Sequence, residues 1–196
     1  MKIILIIIFF SNFLFAQSSQ EEITMEDFLN ALKAMTEQLE NTVWRKGNYI
    51  DSFGDPTGGH FLSSKRFSGY FSDSIANGAE LKVAIQVERR GRKNQKTDIN
   101  FKLFKYGDRH FKSNIFPNYQ IKIKHNGKTL KGNYRGFMHS NGLISLNNPT
   151  TFKVHEIFME GGSVKFMLKN YESKSTFNFS IDDIDHINYK KIFEEI

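Results

Sequence analysis

Between Arg89 and Arg135 the chain carries fourteen lysines and arginines against two acids, Asp98 and Asp108. Arg89, Arg90, Arg92 and Lys93 crowd a ten-residue polar stretch that ends at Asp98, and Lys102, Lys122 and Lys124 occupy alternate positions of extended segments. Side chains two residues apart in a strand project from the same face, so these cations, with Phe104 and Tyr106 interleaved, are suited to a basic, aromatic-dotted surface. Such a surface attracts polyanions. The seven residues are therefore the candidate binding set, for an anionic polymer or an envelope component; a protein partner is a further class, and nucleic acid is a weaker match. The same lysines also fit ordinary solvent-facing strand positions, the usual place for lysine.

Catalytic and metal-binding patterns are sparse beside this. Asp51 and Asp55 flank a glycine turn, but two carboxylates without the alternating acidic spacing fall short of a calcium loop. Asp51, Gly54, Asp55, Pro56 and Gly58 read instead as a structural turn, with proline fixing φ and aspartate bonding its own downstream backbone. The six histidines (His60, His110, His125, His139, His155 and His186) show no HxH or HExxH spacing that would place two ligands on one face. Without cysteine there is no thiol nucleophile, and Ser74 and Ser140 sit in no GxSxG elbow. No metal site and no cofactor is expected, and a non-enzymatic binding or interaction module is the leading reading. The alternative is a hydrolase or lyase acting on a cell-envelope polymer, which requires Asp51, Asp55, Tyr106, Arg109 and His110 to converge in one cleft.

The elements that would position these residues follow from periodicity. Thr24 to Asp27 has the spacing of a helix N-terminal capping box, and Met25, Phe28, Leu32, Met35 and Leu39 recur at intervals of three and four. This predicts an amphipathic helix, either packed on the domain or serving as a docking element. From Val43 the period changes to two. The alternation is cleanest in Leu81 to Glu88, Ile99 to Tyr106 and Tyr119 to His125, and the last of these ends in an Asn126-Gly127 hairpin turn. Further strands are expected at His60 to Ser63, Phe67 to Ser72, Lys128 to Tyr134, Leu143 to Leu146, Ser163 to Lys169 and Ser175 to Ile181. A second helix is expected over Thr151 to Glu160, stopped by Gly161, and a short terminal one over Asp183 to Phe193. About eight short strands without a βαβ rhythm predict a mainly β fold, an antiparallel sandwich or barrel with an N-terminal helix, one helix before the last hairpin and a short C-terminal helix.

Compartment is read from the first residues. Lys2, the apolar run Ile3 to Phe10, and Phe13 to Ala16 form an export signal, too short for the roughly 20 apolar residues of a membrane span. Cleavage after Ala16 removes Lys2, leaving 26 of the 27 basic residues against 21 acidic ones, a formal charge of +5. The expected organisation is a signal peptide at 1–16, a segment with the amphipathic helix at 17–42 and a β-rich domain at 43–196. The expected location is periplasmic or extracellular. An exported chain without cysteine must be stabilised by burial, and its 20 phenylalanines and seven tyrosines supply the surface.

Taken together, Trp44, DSFGDPTGG at 51–59, GYFSDSIANGAELKV at 69–83, FKLFKYG at 101–107 and VHEIFMEGGSVKFML at 154–168 resemble an uncharacterised family of small exported bacterial proteins. Its members carry a tryptophan, a DxFGDxTG turn, a GxFSxS segment and a late GGxVKF strand. The resemblance spans Trp44 to Phe193 and implies a shared fold and no activity. This chain has Asp73, Ile75 and Ala76 where relatives carry Asn, Ala and Thr, and Phe177 stands at the aromatic position before the final strand. Any role tied to those family polar groups does not carry over.

Overall fold

The computed structural model describes residues 24–90, 96–105, 109–110, 117–170 and 172–196. The expected export signal at 1–16 lies outside them, as do Arg92, Lys93, Tyr106 and Asp108. The chain divides at Asn41/Thr42 into two compact units.

In the first unit, helix α1 spans Met25–Asn41. Its start follows from the capping box: the Thr24 hydroxyl accepts from the Asp27 amide at 3.2 Å, and the Thr24 amide donates back to the Asp27 carboxylate at 3.1 Å. The Thr24 hydroxyl also donates to the Asp27 carboxylate at 2.6 Å, and this bond first, with the Thr24 amide second, holds the Asp27 carboxyl below its usual range. Met25 and Leu29, on the apolar stripe, are exposed.

The second unit is a closed antiparallel barrel. Its strands are β1 (Trp44–Ile50), β2 (Pro56–Ser64), β3 (Phe67–Ser72), β4 (Ala79–Arg90), β5 (Lys96–Lys105), β6 (Arg109–His110), β7 (Asn118–His125), β8 (Lys128–Thr129), β9 (Tyr134–Met138), β10 (Leu143–Leu146), β11 (Val164–Lys169) and β12 (Thr176–Ile181). Eight of them pair in the cycle β4-β3-β12-β11-β7-β9-β10-β5, which the β5–β4 ladder closes. The β1–β2 hairpin hangs outside, joined to β4 at Leu62–Val87 and Ser63–Gln86. Closure removes the open edges of these eight strands.

Period-two burial explains the interior. Val83 and Ile85 of β4, Phe101 and Leu103 of β5, and Ile121 and Ile123 of β7 all turn inward. There Phe101 meets the rings of Phe166 at 5.1 Å and Phe179 at 5.2 Å. Each such buried side chain contributes about 1.5–3 kcal/mol over its exposed state. At one seam the strands come closer than a side chain allows: a Cβ on Gly69 of β3 would stand 2.1 Å from the Asn178 carbonyl oxygen of β12.

Two further helices pack on this unit. Helix α2 (Asn148–Glu160) begins three residues before the sequence-based start at Thr151, because Asn147 caps it by accepting from the Thr150 amide and Pro149 sits in its first turn. It ends at Gly161, as expected. Helix α3 (His186–Glu195) packs on α2 and on β1. Trp44 seals the joint, its indole donating from Nε1 to the Ile184 carbonyl at 2.6 Å while its ring lies 5.0 Å from Tyr189 and 5.1 Å from Phe158. Burial raises the Tyr189 hydroxyl far above its ordinary pKa, so it serves as a neutral group, 2.7 Å from His155 Nδ1.

Helix α3 starts at His186 rather than Asp183 and runs on to Glu195, and two strand regions also differ from the sequence-based expectation. The return strand Lys128 to Tyr134 is divided: β8 is two residues long, and β9 starts at Tyr134 and runs on to Met138 to pair β10 as well as β7. The break leaves the Asn126-Gly127 turn intact. The ten-residue loop Arg89 to Asp98 is shorter than expected, since the β4–β5 ladder continues through Arg89–Thr97 to Arg90–Lys96. Among the described helices none is long and apolar enough to cross a membrane.

Candidate functional site

On the outside of the barrel, β3, β12, β11 and β7 form one continuous face whose outward positions are set by the same alternation that fills the core. Register lines them up in rows across the strands. One row runs Tyr70, Asn178, Met167, Lys122, and the next places Lys165 of β11 directly opposite Lys124 of β7. Lys169 faces Gln120 in the row beyond. The outward positions of these four strands therefore hold four lysines and no carboxylate. A shallow depression of about 590 Å³ lies over them, lined by Tyr70, Lys122, Lys124, Lys165, Met167 and Asn178 among others, none of them acidic.

At its β4 border the face is closed by Lys82, which donates to Ser68 at 2.9 Å and pairs with Glu80 at 3.3 Å. Inside that border the lysines stand beside one another. Like charges directly opposite on neighbouring strands destabilise a sheet, so the Lys165–Lys124 pair carries a small folding cost that a bound anion would relieve. Tyr70, 54 % exposed, and Met167, 39 % exposed, give the same face an apolar centre.

The sequence-derived binding set is dispersed by this geometry. Lys122 and Lys124 fall in the face. Lys102 lies on β5, with β10 and β9 between it and β7, and its ammonium sits 5.7 Å from the ring centre of Phe104. Phe104 points outward yet is buried because Arg66 covers it at 4.2 Å. Arg89 holds helix α3, donating to the Phe193 carbonyl at 3.3 Å and lying 5.1 Å from that ring. Arg90 closes the β4–β5 ladder opposite Lys96, and Arg92 and Lys93 fall outside the described residues. Lys165, Met167 and Tyr70 were not singled out from sequence. The alternation around Val164, Phe166 and Leu168 already turns Lys165 outward, but that β11 lies beside β7 is a non-local fact.

Of the residues expected in the β1–β2 turn, Asp51, Gly54 and Asp55 form it, whereas Pro56 and Gly58 already belong to β2, Pro56 pairing with Ile50. The Asp51 carboxylate accepts from the amides of Phe53 at 2.9 Å and Asp55 at 3.0 Å, and Gly54 and Gly58 adopt φ of +92° and +78°, which glycine alone tolerates easily. This turn lies toward the Arg90 end of β4, whereas His110 pairs with Phe104, which faces Lys82 nearer the other end. One cleft does not hold Asp55 and His110 together, and Tyr106 and Asp108 fall outside the described residues. Among the described residues no group of three or more histidine and acidic side chains is placed to hold a metal ion.

Asp73 caps the β3–β4 turn. It accepts from the amides of Ala76 and Ile75, which hold its carboxyl below the usual range, and Lys105 adds to this from 3.4 Å. No family model, no curated protein and no solved structure matches the chain.

Proposed function

We propose that the protein is an exported, non-enzymatic binding module that holds an anionic polymer of the cell envelope or its surroundings on the β3-β12-β11-β7 face. The observation that carries this reading is the acid-free lysine cluster: Lys122, Lys124 and Lys165 converge around Tyr70 and Met167 at a folding cost in like-charge repulsion. Exposed lysines are strongly hydrated point charges on flexible stems. They suit a polymer whose charges repeat along a chain better than a single small anion that needs a fixed fork. Of the three aromatic residues lining the depression, Phe166 and Phe179 are buried in the core and Tyr70 alone is exposed, which disfavours single-stranded nucleic acid, whose bases stack on successive rings. Export, read from residues 1–16, makes acidic glycans or wall polymers the accessible partners. The resemblance to small exported proteins agrees with that placement.

The test is salt elution from heparin-agarose. The triple variant Lys122→Ser/Lys124→Ser/Lys165→Ser should elute at clearly lower salt than the unaltered protein. A variant losing the same charge elsewhere, Lys33→Ser/Lys190→Ser/Lys191→Ser, should shift much less. Equal shifts for the two would reduce the effect to net charge and overturn the assignment of the face.

A further inference from the structure

Strand β7 belongs to two surfaces at once. Its outward residues continue from Lys122 through Gln120 to Asn118, and across the β7–β9 ladder Gln120 faces Arg135 while Asn118 faces Phe137. Successive outward positions of a strand lie about 6.6 Å apart, so the outward positions of β7 run from the lysine face to the groove beyond β9, which Asn118 lines. That groove measures about 430 Å³, within the range of about 300–1,000 Å³ usual for small-ligand sites. Its chemistry differs from that of the face. Arg135, Phe137, His139, Asn100 and Ser145 line it, with one acid, Asp98, which pairs with Lys96 at 3.3 Å.

Its polar groups have a fixed polarity. The Ser145 hydroxyl donates to Asn100 Oδ1 at 2.6 Å, so His139 Nε2, 2.9 Å from the same hydroxyl, is the donor into it. Two consequences follow for a neutral imidazole: Nδ1 is an acceptor, and Asn100, 3 % exposed on the groove floor, has an amide nitrogen that no acceptor takes among the described residues. Arg135 is steered by its Nε, which donates to Asn133 at 3.0 Å. Its two terminal nitrogens then form the planar edge that matches a carboxylate. Phe137, 38 % exposed, lies beside it, its ring perpendicular to that of His139 with centroids 5.2 Å apart. The negative face of an aromatic ring attracts the weakly positive C–H groups of a sugar ring.

A planar cation, a ring face, an amide donor and an imidazole acceptor at one end of a lysine track are what a carboxylated pyranose unit would use. We infer that this groove is a subsite for one uronic-acid residue of the bound polymer, Arg135 holding its carboxylate and Phe137 its C–H face, with Asn100 and His139 reading its hydroxyls. The inference rests on the polymer-binding reading above and narrows the polymer to an acidic polysaccharide.

Titration of the full mature chain with oligogalacturonate, followed by calorimetry, tests it against two comparison probes, a neutral galactan oligosaccharide and a single-stranded oligothymidylate. The unaltered protein should bind oligogalacturonate and bind the other two at least tenfold more weakly. Arg135→Met and Phe137→Ala should each lower the oligogalacturonate affinity about tenfold, while both variants elute from heparin-agarose within the shift of a single lost charge. Because Arg135 and Phe137 lie on a barrel strand, circular dichroism must match the unaltered protein, and Arg135→Lys, which retains the charge without the planar fork, should bind as poorly as Arg135→Met. Undiminished binding by Arg135→Met and Phe137→Ala overturns the subsite and leaves the lysine face standing if the triple-lysine variant still loses heparin retention. Loss in these two variants with no effect of the triple-lysine change overturns the face instead. Tighter binding of oligothymidylate than of oligogalacturonate overturns the sugar assignment.

Discussion

Lys165 and Lys124 confront each other across β11 and β7 with Ser180 on the far side of Lys165. The pair therefore separates stability from binding. Lys165→Glu turns a repulsion into an attraction and should raise the free energy of unfolding by a few tenths of a kcal/mol, the scale of a cross-strand charge pair at an exposed site. The same change should weaken heparin retention. Thermal melting and salt elution moving in opposite directions is the expected result, and a fall in both would show that Lys165 has a packing role. A second residue-scale prediction concerns His155. Burial lowers its pKa, Arg89 pushes the same way and Glu156 opposes them. The folded state thus prefers the neutral ring and the unfolded chain binds the proton more readily. The stabilising preference is fully present above the unfolded value of about 6.5 and is lost as pH falls below it, through the lower folded pKa. Denaturation midpoints should drop as pH falls below about 6.5, and the slope should flatten in His155→Gln.

Among the elements, the seam between β3 and β12 has the least room. Gly69→Ala would drive a methyl group into the backbone of Asn178, where no side chain can yield. Overpacking of this kind costs about 1–3 kcal/mol, and urea unfolding should show a loss of at least that size. Gly136→Ala, whose nearest neighbours are the side chains of Ile144, Ile121 and Leu146, should cost less. The elements also show what was readable in advance. The inward and outward faces of β4, β5, β7, β11 and β12 followed from period-two alternation, as did both ends of the Asn126-Gly127 turn. The split of Lys128 to Tyr134 into β8 and β9 was not legible, because Leu130 to Asn133 offers no breaker stronger than a single glycine. Nor was the site: Lys122 and Lys124 were readable as outward lysines, but their meeting with Lys165, Tyr70 and Met167 depends on β11 lying between β7 and β12. The β11–β12 side of that order is a local hairpin, but the β11–β7 side is fixed by pairs from Val164–His125 to Lys169–Gln120, distant along the chain, and has no local signature. Arg89 and Lys102 looked equivalent to them in sequence and differ only because Phe193 and Phe104 are there to receive them.

For the molecule as a whole, barrel closure requires β12 to reach β3 across a gap of about a hundred residues. Contacts of such separation form late and slowly, and a chain with this wiring has no complete sheet until its last strand is present. Trp44 adds a second long tie, from the first strand to the Ile184 carbonyl 140 residues on. It is the one tryptophan of the chain and is 1 % exposed. A lone indole seated where the opening strand meets the closing helix makes the protein its own optical gauge. A red shift of its emission would announce that the two termini of the β-rich unit had parted, and no introduced label would be needed to see it.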